Sequence, residues 1–83
     1  MNKQATVAAI AAEGIDNLQC ASTYMEWLNS LSYAVCNSLK DGHEHHAKQL
    51  SSITQYLTEE FTSTLDREVK ILNEKLKAVE LRN

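Results

Sequence analysis

Residues 17–39 read NLQCASTYMEWLNSLSYAVCNSL and hold one charged side chain, Glu26. Of the 25 residues from Glu59 to Asn83, by contrast, 11 are charged. The uncharged stretch has helical spacing. Leu18, Ala21, Met25, Leu28, Ser32, Val35 and Leu39 follow one another in steps of three and four, the repeat of a packed helix seam. Cys20, Tyr24, Trp27, Leu31 and Ala34 form a second stripe, rotated from the first by roughly 110° at 100° per residue. A helix on a protein surface needs a single apolar stripe about 100° wide. Two stripes predict two neighbours: the first stripe is expected to face a helix of the same chain, and the second a subunit or partner.

Outward from this stretch, two glycines and no proline punctuate the chain. Gly14 is expected to close a short helix over about residues 4–13. Beyond it, Asp16 reads as an N-cap with Gln19 as its capping-box partner, and Ile15 and Cys20 as a hydrophobic staple, so a long helix is expected over 16–40. Lys40-Asp41-Gly42-His43 ends that helix in one of two ways. Either Gly42 is the left-handed residue past its C-terminus, or Asp41 caps the next helix with Glu44 three residues on. Both give a tight turn and antiparallel neighbours.

The last helix, 44–81, carries a seam of Leu50, Ile53, Leu57, Phe61, Leu65, Val69, Leu72, Leu76 and Val79 and a charged back. Its four-residue steps from Leu57 to Val69 depart from a strict heptad. With the turn at Gly42, residue i pairs with 84−i, which sets Asp16 opposite Glu68. The tail from Val69 onward then has either residues 1–13 or another subunit to cover it.

Length and composition bound the rest. A chain of 83 residues makes one domain, in the size range where association often completes the core. The net charge of −3 gives no electrostatic footprint for nucleic acid or an anionic membrane. Ala5–Ala12 follows a single Lys3 and is interrupted by Glu13, which reads as a helical turn and not an export signal. No run approaches the roughly 18 apolar residues of a membrane span. Two cysteines without an export signal point to a reducing compartment, so a cytoplasmic location is expected.

Few residues suggest chemistry. His43, His45 and His46 cluster with Glu44 at the turn and are the weak candidates for Zn, Ni or Cu binding, although no third ligand at a fixed spacing accompanies them. Cys20 and Cys36 stand 16 residues apart on one helix, about 24 Å along its axis, so they cannot pair with each other. Each is expected to be a small buried hydrophobe. Trp27, with Tyr24 and Leu31, is the expected anchor of a dimer interface formed by Cys20, Tyr24, Trp27, Leu31 and Ala34. Arg67, Lys70, Lys75, Lys77 and Arg82 alternate with acids, as on a solvated face. No phosphate loop, nucleophile elbow, isolated carboxylate pair or cofactor motif is present.

In architecture alone, the layout resembles the Rop-like helical hairpins, which would imply RNA binding. The interleaved charges of the last helix depart from that pattern. Secretion-needle subunits and the small secreted proteins with Trp-x-Gly at their turn are also helical hairpins of this length. Here the turn is Asp41-Gly42-His43, and Trp27 is followed by Leu28-Asn29 inside a helix. The sequence therefore predicts an all-α fold: a short N-terminal helix and a long antiparallel hairpin, dimerising into a four-helix bundle. The function expected is that of a non-enzymatic interaction or adaptor protein, a small bacterial, plasmid or phage accessory factor that needs no cofactor and partners itself and another protein. The alternatives are a dimeric nucleic-acid-binding regulator and a metal-responsive protein using His43, His45 and His46.

Overall fold

The computed structural model describes residues 2–80, and two helices account for nearly all of them: α1, Lys3–Lys40, and α2, Glu44–Glu80. They fold back on each other as a hairpin measuring 63 × 16 × 12 Å. Leu81, expected as the last residue of the second helix, lies outside the described residues, as does Arg82.

The turn forms as glycine chemistry requires. Gly42 has φ +78°, the one glycine in the left-handed region. The His43 N–H donates to the Ser38 carbonyl at 2.7 Å and the Gly42 N–H to the Leu39 carbonyl at 3.2 Å, the paired bonds of a Schellman motif. Asp41 is the C-cap of α1, so the first of the two turn readings is the observed one. At the other end of α1, the Asn2 side chain accepts a hydrogen bond from the Ala5 N–H at 2.8 Å and caps the helix close to its expected start near residue 4.

The expected break at Gly14 is absent. α1 runs through Gly14, Ile15 and Asp16 without interruption, so there is no separate short N-terminal helix and no capping box at Asp16. A glycine inside a helix costs only about 1 kcal/mol relative to alanine. Ala8, Ala9, Ala11 and Ala12 on its N-terminal side are strong helix formers, and the continuous helix keeps its contact with α2. A carbon added at Gly14 would meet Leu72 Cδ1 at 4.0 Å, ordinary contact across the hairpin. The tail of α2 is covered by the same chain: Glu13 reaches Lys75, and Ile10 and Val79 are both buried at the open end.

The seam differs from both stripes. In α1 the half-buried line runs Gly14, Asn17, Ala21, Tyr24, Leu28, Leu31, Val35 and Ser38, the a and d positions of one heptad register. It takes Ala21, Leu28 and Val35 from the first stripe and Tyr24 and Leu31 from the second. Leu18, Met25 and Leu39, expected against the partner helix, are exposed. The physical reason is the width of the apolar arc. With both stripes apolar, α2 settles between them and touches the inner edge of each, leaving an outer edge on either side.

On α2 the corresponding line is Ala47, Leu50, Thr54, Leu57, Phe61, Thr64, Glu68 and Ile71, with Leu65 and Leu72 half-buried beside it. Ile53, Val69 and Leu76 of the expected seam are exposed. Steps of four carry Val69 roughly 120° around the helix from Leu57 at 100° per residue, and Glu68 occupies the seam in its place. The hydroxyl of Thr54 donates to the Leu50 carbonyl at 2.8 Å, which lets a polar residue sit in the seam without an unmet donor.

Candidate interaction surface

The hairpin has one seam and little interior. Ile10, Ala47 and Val79 are the buried apolar residues among those described, and no described side chain is fully enclosed. A pair of helices can hide only the strips facing each other, so large apolar side chains remain in water on both margins. These margins are the e and b positions on one side and the g and c positions on the other.

In an antiparallel pair, the e and b positions of both helices fall on the same side. The groove lined by Ser32, Cys36, Ser51 and Gln55 runs along that side near the turn. Toward the open end it presents Leu18 and Met25 from α1 and Val69 and Leu76 from α2, between 41% and 70% exposed. The opposite side carries Cys20 and Trp27 from α1 and Ile53 and Tyr56 from α2, all exposed.

The aromatic residues straddle seam and margin. Tyr24 stacks on Phe61, and Trp27 tilts against both rings, its centroid 6.0 Å from each. Trp27 thus closes the edge of the seam while 53% of it stays in solvent. A shallow recess beside it is lined by Asp16, Gln19, Cys20, Thr23 and Tyr24. Of the five residues expected at an interface, Tyr24 and Leu31 lie in the intrachain seam and Ala34 is half-buried at its edge. Cys20 and Trp27 alone of the five are exposed. Both cysteines are free and exposed, not buried as expected, because positions 20 and 36 flank the seam without entering it.

Two polar features were not legible in the residue pattern. Lys75 Nζ contacts Glu13 Oε1 at 2.7 Å and Oε2 at 2.9 Å, bridging the helices at the open end. Both side chains are nearly half exposed, which holds such a pair to about 0–1 kcal/mol. Asn17 occupies a seam position, and its Nδ2 is buried with no acceptor. Neither its seam position nor the lack of a partner was readable, because the expected seam passed through Leu18 and both depend on where α2 docks.

His43, His45 and His46 stand exposed at the turn, with the His43 and His46 rings 6.0 Å apart and the His45 and His46 rings 6.1 Å apart. No three His, Cys, Asp or Glu side chains among the described residues converge as a metal site. Among the basic residues of α2, Lys75 is engaged by Glu13, and Arg67, Lys70 and Lys77 share their margin with Glu60 and Glu74. No helix among the described residues is long and apolar enough to cross a membrane. No protein family, curated protein or solved structure matches the chain.

Proposed function

We propose that this chain is a non-enzymatic interaction protein that self-associates into a helical bundle and binds another protein through apolar surface left on that bundle. The observation that supports this reading is the amount of surface the lone hairpin exposes. By size scaling, a compact monomer of 9.3 kDa shows about 5,000 Å² to solvent. This chain shows 6471 Å², with Leu18, Met25, Trp27, Tyr56 and Val69 among the exposed large side chains. A standard protein interface removes about 800 Å² per partner. The excess is thus more than one such interface can hide.

Two antiparallel hairpins side by side form a four-helix bundle, the smallest arrangement that gives each helix a second neighbour. Unpaired, exposed thiols at Cys20 and Cys36 fit a reducing compartment, and we place the protein in the cytoplasm. Light-scattering mass after size exclusion tests the association. The expected species is a dimer or larger, and a chain that stays monomeric at every concentration overturns the reading. Cross-linking in native cells, followed by identification of the captured proteins, tests the partner half of the proposal.

A further inference from the structure

The two exposed margins differ in charge, and the difference selects which one a second copy covers. On the side formed by e and b positions, α1 contributes no charged residue from Ala8 to Leu39, and α2 contributes only Glu44 and Lys48, both next to the turn. On the opposite side, the g and c positions include Glu13, Asp16, Glu60, Arg67, Lys70, Glu74 and Lys77. A dimer with two-fold symmetry sets one patch against itself. Burying a charged patch against its own copy requires each ion to lose water and find a partner in fixed geometry. An uncharged apolar patch meets no such requirement, and it sets no like charges directly against each other across the contact.

We infer that a second copy of this chain docks on the face formed by Leu18 and Met25 of α1 and Val69 and Leu76 of α2, leaving the Trp27 side in water. The inference rests on the self-association proposed above and adds the face that is used. Leu18 and Val69 flank the seam at nearly the same level of the hairpin, so the patch spans both helices. Both are more than half exposed in the single chain, with large apolar area still to bury.

The test compares two variants with the wild-type chain by light scattering, with circular dichroism as the check on folding. Leu18→Glu combined with Val69→Glu places charge on the proposed face, whereas Tyr56→Glu places it on the other. The double variant is expected to remain helical and run as a monomer, with association weakened at least 100-fold, while Tyr56→Glu keeps the wild-type mass. A double variant that keeps its mass, while Tyr56→Glu dissociates, overturns the assignment of the face and leaves self-association standing. A monomeric wild-type chain overturns both.

Acrylamide quenching of Trp27 in the wild-type assembly gives a second answer without substitution, which decides the matter if the double variant does not fold. Quenching typical of a half-exposed indole supports the inference, and a shielded indole overturns it.

Discussion

Tyr24 of α1 and Phe61 of α2 lie ring on ring, their centroids 4.1 Å apart and their planes 4° from parallel. They are the largest matched pair across the seam and sit near the middle of the hairpin. Each belongs to the half-buried line of its helix, so the stack holds the two helices in register as well as in contact. Replacing either by alanine is expected to lower stability by about 2–4 kcal/mol, reduced from the fully buried case by their partial exposure. A double-mutant cycle in urea unfolding should return a coupling of about 0.5–1.5 kcal/mol. A coupling of zero would mean that the rings only occupy volume.

The two glycines should respond to alanine with opposite signs. Gly14 is helical, and the added carbon would only touch Leu72, so Gly14→Ala is expected to stabilise by about 0.5–1 kcal/mol. Gly42 has φ +78°, and Gly42→Ala is expected to destabilise by about 1–2 kcal/mol although nothing crowds the site. Thermal unfolding followed by circular dichroism measures both shifts.

Asn17 leaves a buried donor unmet, a condition that costs about 1–3 kcal/mol. Asn17→Leu, close to it in size, is expected to raise the melting temperature. If Asn17 also fixes the alignment of helices in an assembly, as a lone seam asparagine does in coiled coils, the same variant will form a broader set of oligomers. Light scattering on the stabilised variant reads that directly.

The Glu13–Lys75 pair should matter little in ordinary buffer. Glu13→Gln is expected to lower stability by less than about 1 kcal/mol, and the difference from wild type should shrink as salt is added. A large effect that persists in high salt would point to packing at the open end in place of charge attraction.

Much of this protein is fixed by local rules. Helix in both halves, the reversal at Gly42 and antiparallel neighbours follow from apolar spacing and from the one residue suited to a left-handed C′ position. The surplus of apolar surface on α1 follows from the sequence as well, since one charge between Asn17 and Leu39 is too few for a helix with a single covered face.

Two things waited for the tertiary structure. Gly14 could stop a helix or lie inside one, and the packing of residues 3–13 against the end of α2 favours continuity over a break. Two adjacent stripes allow the partner helix to sit on either or between them, and only the docked pair shows that α2 lies between. That placement moves Leu18 and Met25 out of the expected contact and draws Tyr24 and Leu31 into it. The cause in each case is the same: local propensity differs among the options by about 1 kcal/mol, less than the apolar burial that the choice of neighbour governs.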